Sequence, residues 1–314
     1  MGEYSELVSK EILEGIKKLI NYKHNEEFPI LVLAPRLGST EPRKESKKLR
    51  VYAYGGLIGE IPTIQREEGA LADAKYLPEG SEERIKLEKM LGCSRDQRIN
   101  ILFSDKYLEV IVEACWRKFT KAADVSKERA IETELVKKYL VNTDIWVPID
   151  IEFLISQNWM DEGGERGKPD IILYDKRNKV FRLIELKYNN ESCTGSNSLK
   201  KHYDKAMKII HSSYRNKIVN EFLRKMCYLY KYEIINGEVW KEVLKNTDRE
   251  KVGLEFGYFF IGGKVKIYKS YVENQLKDTD KDCSFLYSPN LDTDILKNCQ
   301  MISYDEFMKL EEEV

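Results

Sequence analysis

The segment from residue 169 to 188 constrains the fold more than any other part of the chain. Two apolar runs, IILY and VFRLIEL, flank the polar sequence DKRNK, a pattern typical of two strands joined by a tight turn. A turn centred on Arg177-Asn178 would pair residue 174 with 181 and residue 172 with 183. The same register would place Asp170 opposite Glu185, whereas a different loop length would shift that pairing.

The end of the second run carries charges where a buried strand is expected. Strand alternation places Glu185 and Lys187 on one face, with Leu186 pointing to the other. Carboxylates on opposed strand positions have Cβ atoms roughly 5 Å apart, so they can share a cation and repel each other without one. Oxygen ligands of this kind suit Mg²⁺, which needs only one or two carboxylates. We therefore expect Asp170 and Glu185 to bind Mg²⁺, with Mn²⁺ as a substitute.

The spacing of apolar residues around this hairpin predicts the neighbouring elements. Residues 126 to 261 give, in order, a helix, three strands, a helix and a strand. The predicted elements of this region are a helix from Ser126, strands Trp146–Ile155, Pro169–Tyr174 and Lys179–Tyr188, a long helical stretch within Ser198–Tyr232, and a strand Leu254–Ile261. Outside it, we predict helices over 5–20 and 105–119, and strands over Phe28–Leu33, Leu49–Tyr54 and Val265–Tyr268.

Pro169-Asp170, followed after fourteen residues by Glu185-Leu186-Lys187, resembles the signature of the PD-(D/E)XK nuclease superfamily. The resemblance covers residues 126 to 261. It implies an α/β fold with a restriction endonuclease-like core, in which helices flank a mixed central sheet and the two motifs lie on its second and third strands. It also implies that Asp170, Glu185 and the carbonyl of Leu186 bind metal, and that Lys187 positions or activates the attacking water.

Either motif alone is more often an acidic turn residue or a solvated strand charge. The apolar composition before Glu185 and the order of elements favour the catalytic interpretation.

The helix before the hairpin offers a further carboxylate. Arg129, Glu132 and Leu135 have the R-x-x-E-x-x-L spacing that is similar to the helix motif of the superfamily. Glu132 falls near the centre of the apolar helix face, where a carboxylate is costly unless it is paired or bound to metal. We therefore predict Glu132 as a fourth catalytic and metal-binding residue. Glu128, one turn earlier, is the alternative, and a charge that favours the helix dipole is the competing explanation for Glu132.

Basic residues follow the hairpin at the start of the next predicted helix. Lys201, Lys205 and Lys208 share one helix face and could contact phosphates, although a solvated basic face is the commoner role of such a row. His202 is either an active-site neighbour or a surface histidine. Glu152, on the first predicted strand of the core, is a weaker candidate because strand charges are commonly solvated.

No composition shift marks a domain border, so the division of the chain comes from pattern alone. We predict an α+β N-terminal region of unknown role over residues 1–120, the nuclease core over 121–270, and a C-terminal extension over 271–314.

Composition restricts the partners. The chain has 314 residues, of which 42% are hydrophobic, and its formal net charge is -1, so nucleic acid would have to be bound by a local basic surface. Six cysteines without a CxxC pair and only three histidines argue against zinc and disulfides, and favour reduced thiols in the cytoplasm. No signal peptide and no 18-residue apolar run is visible, so we expect no membrane association.

The sequence thus predicts a metal-dependent nuclease with DNA favoured over RNA as its substrate. The resemblance to the superfamily implies products with 5′-phosphates, and it favours a restriction or phage-defence role. The sequence does not decide whether the chain forms a homodimer. The alternatives are a catalytically inactive nuclease-fold protein that binds nucleic acid or regulates, and a protein interaction module in which the carboxylates form structural salt bridges.

Overall fold

The structure is a computed structural model, and it divides the chain into two compact units. The first unit comprises Met1–Lys138 and Lys225–Gly237, and the second comprises Tyr139–Arg224 and Glu238–Val314. The residues that the structure describes are 10–24, 31–36, 48–62, 70–71, 76–92, 98–120, 127–140, 145–152, 155, 161, 167–189, 193–195, 198–235, 237–246, 252–291 and 300–311.

The first unit contains an antiparallel sheet with helices packed on it. Four strands lie in sequence order: β1 (Leu31–Arg36), β2 (Lys48–Ala53), β3 (Gly56–Pro62) and β4 (Ala70–Leu71). The helices are α1 (Lys10–Ile20), α2 (Glu82–Leu91), α3 (Arg98–Leu102), α4 (Asp105–Thr120) and α5 (Lys127–Glu134), the last continuing as a π-helical turn over Leu135–Leu140. Helix α4 packs against β2 and β3 and buries its apolar side, because Leu108, Ile111, Val112 and Cys115 recur at helical spacing.

The second unit is built on a mixed five-stranded sheet. Its strands also lie in sequence order: β5 (Trp146–Ile151), β6 (Ile171–Asp175), β7 (Val180–Tyr188), β8 (Gly253–Ile261) and β9 (Cys283–Ser288). The pairs β5–β6 and β6–β7 are antiparallel, whereas β7–β8 and β8–β9 are parallel. The helices of this part of the chain are α6 (Leu199–Ile210), α7 (Arg215–Lys231, whose last turns belong to the first unit), α8 (Gly237–Asn246), α9 (Val265–Leu276) and α10 (Tyr304–Lys309).

A mixed sheet flanked by helices confirms the predicted α/β class. Strand β7 lies between β6 and β8, and it is buried from Val180 to Lys187. This continuous burial is expected for an inner strand that is covered on both faces. Among the described residues, no helix combines the length and the apolar composition needed to cross a membrane.

The predicted hairpin register is confirmed over the length of β6. Tyr174 pairs with Phe181 and Ile172 pairs with Leu183. The turn between the strands is stabilised by Asp175, whose Oδ1 accepts hydrogen bonds from the backbone N–H groups of residues 177 and 178, both at 3.0 Å. Such an Asx turn fixes the loop length locally, and with it the register of the two strands.

Residues 265–268, predicted as a strand, instead form the first turn of α9. That prediction was wrong because VKIY alternates over a window too short to separate a strand from a helix. Gly262 and Gly263, both with φ of +69°, turn the chain after β8. The buried residues that follow have helical spacing: Val265, Tyr268, Val272 and Leu276.

Several predicted element bounds differ from the observed ones. The strand predicted to reach Ile155 ends at Ile151, where Glu152 adopts a φ of +48°. The helical stretch within 198–232 is two helices, because residues 211–214 form a turn between α6 and α7. Residues 5–9, 28–30, 126 and 153–154 of the predicted elements lie outside the described residues.

The division into units also differs from the borders placed at residues 120 and 270. Strand β9, from the predicted C-terminal extension, is the fifth strand of the sheet and is bridged in turn to Ile302. Residues 225–237 cluster with the first unit, where Tyr228 and Tyr232 join its apolar core. Contacts between residues so far apart in the chain cannot be predicted from local sequence patterns.

The β2–β3 turn provides a test of this packing. Gly55 has a φ of +83°, and a Cβ at this position would lie 2.5 Å from Cβ of Arg129. Gly80 also has a positive φ, +73°, but no atom lies within 4 Å of a Cβ there. We expect Gly80→Ala to cost about 1–2 kcal/mol through backbone strain alone, and Gly55→Ala to cost clearly more because Arg129 must also move. Thermal unfolding of both variants measures the difference, and equal losses would contradict it.

Candidate active site

Asp170 lies one residue before β6. The β6–β7 ladder ends at the pair Ile171–Ile184, one step before the pairing predicted for Asp170 and Glu185. The backbone N–H of Asp170 donates to the carbonyl of Ile184 (3.0 Å), which is the partner of Ile171. Asp170 therefore does not pair with Glu185, the next residue of β7. Its carboxylate Oδ2 accepts a hydrogen bond from the N–H of Leu186 at 2.8 Å. The structure therefore brings the Asp170 carboxylate to the residue that separates Glu185 and Lys187.

Glu185 and Lys187 lie on the same face of β7, as strand alternation predicts. Their partners on β8 are Tyr258 and Phe260, respectively. Both charged side chains are buried, with exposed fractions of 4% and 2% for the two residues. The Lys187 Nζ donates to Oε1 of Glu185 at 2.6 Å. This is an ion pair inside the sheet, where each charge depends on the other for its solvation.

His202 is a second partner of Glu185. Its Nδ1 lies 2.9 Å from the same Oε1 that Lys187 contacts. Sequence reasoning left His202 open between an active-site neighbour and a surface histidine, and the structure places it at the carboxylate. Both partners contact Oε1, and Oε2 of Glu185 has no hydrogen bond within the part of the chain that the structure describes.

The start of α6 positions this histidine. Ser198 caps the helix through a hydrogen bond from the N–H of Lys201 to its Oγ. The phenol of Tyr258 donates to the carbonyl of Leu199 at 2.6 Å and so holds the first turn of α6 against β8. His202 follows Leu199 by three residues, on the turn that faces the sheet. No local sequence signal connects Tyr258 to this helix, because the two residues are far apart in the chain.

The charges around Glu185 determine its protonation. Burial by itself would raise the pKa of the Glu185 carboxyl, but the nearby ammonium of Lys187 and the contact with His202 outweigh burial and leave the pKa below its usual value. The carboxylate is therefore ionised at neutral pH and able to hold a cation.

A cleft opens beside Glu185 in the second unit. It encloses about 300 Å³ of empty space, part of it open to solvent. Its two walls are the segment before β6 and the helix α6, and its lining residues are Gly167, Lys168, Pro169, Leu183, Glu185, His202, Lys205, Ala206, Ile209 and Phe256. The Nζ of Lys168 contacts Oε1 of Glu152 at 2.9 Å. Glu152, the weaker of the candidate site residues, thus forms an ion pair with one wall of the cleft.

The donor atoms near Glu185 are oxygens, the type of ligand that magnesium prefers. Glu185 offers Oε2, and Asp170 offers a half-buried carboxylate beside Leu186. The N–H of Leu186 points to the side of β6, and its carbonyl points the same way because the backbone groups of one strand residue share a direction. Among the described residues, no three side chains of His, Cys, Asp and Glu cluster as a metal site. Magnesium tolerates such a sparse set, since water and substrate phosphate complete its coordination.

Glu132 lies in the first unit, on α5. It is buried, with an exposed fraction of 4%, whereas Glu128 is half-buried. Three residues after Glu132, at Leu135, the helix changes to a π-helical turn, a feature that is frequent at functional sites. Its burial agrees with the predicted apolar face, and its membership of the site stays a prediction.

Comparisons with protein-family models, with curated proteins and with solved structures found no match for this chain.

The buried ion pair predicts a pH-dependent contribution to stability. Because the Glu185 pKa is lowered in the folded chain, its charge stabilises the fold above the usual carboxyl pKa, and this contribution is lost as the pH falls through the lowered value. Lys187→Met should lower the free energy of unfolding by up to about 3–5 kcal/mol near neutral pH, because it leaves a buried carboxylate with His202 alone. The deficit should shrink on acidification.

Thermal unfolding of wild type and variant across acidic and neutral pH measures this effect. The matched control is Lys200→Met, which removes a pair with Asp204 whose side chains are 48% and 47% exposed and which should cost at most about 1 kcal/mol. A Lys187→Met deficit that is the same at all pH values would contradict the assignment.

Proposed function

We propose that this chain is a metal-dependent nuclease that hydrolyses phosphodiester bonds in nucleic acid, with DNA favoured over RNA. The observation that carries the proposal is the buried Glu185–Lys187 pair at the cleft, with Asp170 bonded to the residue between them. A buried ion pair seldom improves stability over well-packed apolar residues. Its position on the sheet is therefore better explained by chemistry than by folding.

The order of elements supports the same proposal. Helix α5, strands β5 to β7, the three helices α6 to α8 and strand β8 follow one another, so a helical segment of three helices separates the third strand from the fourth. The resemblance to the PD-(D/E)XK superfamily implies a helix, three strands, a helix and a strand, with the two motifs on the second and third strands. Here Asp170 directly precedes β6, and Glu185 and Lys187 lie on β7. A restriction endonuclease-like core is accordingly part of the proposal.

In the proposed mechanism, Asp170, Glu185 and the carbonyl of Leu186 would hold the metal. Bound Mg²⁺, or Mn²⁺ in its place, would neutralise phosphodiester charge and lower the pKa of a water. Lys187 presents its ammonium beside Glu185, where it can orient the attacking water for in-line displacement and offset the developing negative charge. His202 keeps the Glu185 carboxylate in place from α6. The expected products carry 5′-phosphate and 3′-hydroxyl ends.

The cellular setting belongs to the proposal as well. The four cysteines that the structure describes, Cys115, Cys193, Cys227 and Cys283, are free thiols, which suits the reducing cytoplasm. Restriction or phage defence is the role that the superfamily resemblance favours. A homodimer is compatible with this role.

A second candidate function is a catalytically inactive nuclease-fold protein that binds nucleic acid. One observation favours it: Lys187 and His202 already satisfy Oε1 of Glu185, as in a structural salt bridge. Calorimetry with Mg²⁺ and Mn²⁺ separates the two, because an inert scaffold has no need to bind the cation. An intact set of Asp170, Glu185 and Lys187 favours the enzyme.

Substitution of the three site residues tests the nuclease. Asp170→Asn, Glu185→Gln and Lys187→Met should each reduce cleavage of duplex, single-stranded or RNA substrate in Mg²⁺ by at least about 10²-fold, since the first two remove a ligand of the metal and the third removes the ammonium that offsets charge at the reacting phosphate. Asp170→Asn and Glu185→Gln should also weaken metal binding in calorimetry, whereas Lys187→Met should retain it.

The control variant is Glu255→Gln. This carboxylate lies on β8, on the opposite face of the same sheet, because its partner is Arg182 and not a residue of the Glu185 face. It should cleave as wild type does. Full activity of all three site variants, or equal losses in the control, would end the proposal.

Glu132 requires its own test. We expect Glu132→Gln to reduce cleavage by about 10-fold or more if its carboxylate assists the metal or the water, while Glu128→Gln has the smaller effect. Thermal unfolding separates a catalytic loss from a folding defect, because Glu132 is buried. Unchanged cleavage in a folded Glu132→Gln variant would remove Glu132 from the site.

A further inference from the structure

Helix α6 carries three lysines on one face beside the candidate active site. Lys201, Lys205 and Lys208, hereafter the lysine row, follow one another at i, i+4 and i+7. Lys201 and Lys208 are exposed, whereas Lys205 is partly buried because it lines the cleft with Glu185. The middle member of the lysine row therefore belongs to the cleft wall, and its neighbours extend that positive surface along the helix.

The exposed ends of the row are not neutralised by the described residues. Lys200, on another face of the same helix, pairs with Asp204 at 2.5 Å and lies over the ring of Tyr203. Within the described ranges, Lys201 and Lys208 have no carboxylate at ion-pair distance. A solvated lysine face needs no particular position in the fold. This row, in contrast, has its central residue in the cleft and two uncompensated charges beside it.

The rest of the cleft does not cancel the charge of the row. Lys168 on the opposite wall pairs with Glu152, and the negative charge of Glu185 is offset by Lys187. The lysine row therefore lies beside two carboxylates that are already compensated, and its exposed ends favour an anion that approaches Glu185 from solvent. The lysine row spans about 10 Å of helix. That length corresponds to about three phosphates of one strand, at about 3.4 Å of axial rise each.

We propose that the lysine row binds the sugar–phosphate backbone of nucleic acid adjacent to the scissile bond, with Lys205 on the phosphate nearest the carboxylates. The inference rests on the proposed nuclease function and adds its substrate-binding surface. Contacts of this type recognise phosphates and not bases, so they position the substrate without selecting its sequence. Binding through the row is therefore strongly dependent on salt.

Fluorescence anisotropy of a short labelled duplex tests the inference, with the full chain in EDTA so that no cleavage occurs. Lys205→Gln should weaken binding roughly three- to tenfold at about 0.1 M salt and reduce the slope of log K against log salt by about 0.9. The double variant Lys201→Gln/Lys208→Gln should reduce the slope by about twice that amount. Both of its sites are exposed, so its folding is secure even if Lys205→Gln is destabilised.

The matched control is Lys309→Gln, an exposed lysine on α10, which packs on the edge strand β9. It should bind with the affinity and salt slope of wild type. Wild-type affinity and slope in the lysine-row variants, a control as weak as they are, or no duplex binding by wild type at low salt would each overturn the inference.

The outcome is independent of catalysis. Salt-dependent binding that is lost in the lysine-row variants supports the inference even if no product forms in Mg²⁺, a result that would contradict the nuclease proposal alone. Cleavage in Mg²⁺ with unchanged binding by the lysine-row variants would leave the nuclease and overturn the lysine row.

Discussion

The ion pair between Glu185 and Lys187 is the interaction on which the candidate site depends. Removing two charges from water costs several kcal/mol for each ion, and only a fixed partner offsets that cost. Strand β7 supplies the fixed geometry, because it is hydrogen-bonded on one side to β6 and on the other to β8. Aromatic partners on β8 then exclude water from the two side chains. The result is an ionised carboxylate that lines the cleft, with a buried ammonium bound to it.

The unequal lengths of the hairpin strands create the second half of the site. Strand β6 has 5 residues and β7 has 9, so β7 continues past the start of β6. The backbone of Leu186 therefore has no β6 partner, and the Asp170 carboxylate accepts its N–H instead. The Asp170 carboxylate is thus bound to the backbone of the residue that separates Glu185 and Lys187, at the point where the ladder ends. The same overhang explains why Asp170 is displaced from the position that a continuous register predicts.

Much of the second unit was predictable because its key contacts are local. The hairpin is specified by two apolar runs and by an Asx turn at Asp175, so Tyr174 and Phe181 pair as expected. Short ambiguous windows were less informative. Residues 265–268 alternate like a strand, yet Gly262 and Gly263 end β8 and the buried residues that follow have helical spacing. The predicted pairing of Asp170 with Glu185 is not observed either. The ladder ends at Ile171 and Ile184, and the Asp170 side chain accepts the N–H of Leu186.

Turn chemistry and strand alternation act over a few residues, so the α/β class, the hairpin, and the grouping of Asp170, Glu185 and Lys187 could be predicted from the chain alone. The parallel pairing of β8 and β9, the contact between His202 and Glu185 and the position of Lys205 in the cleft wall arise only when the helices and strands pack together. These contacts join residues far apart in the chain. They depend on how α6 packs on β8 through Tyr258, and no local pattern records that packing.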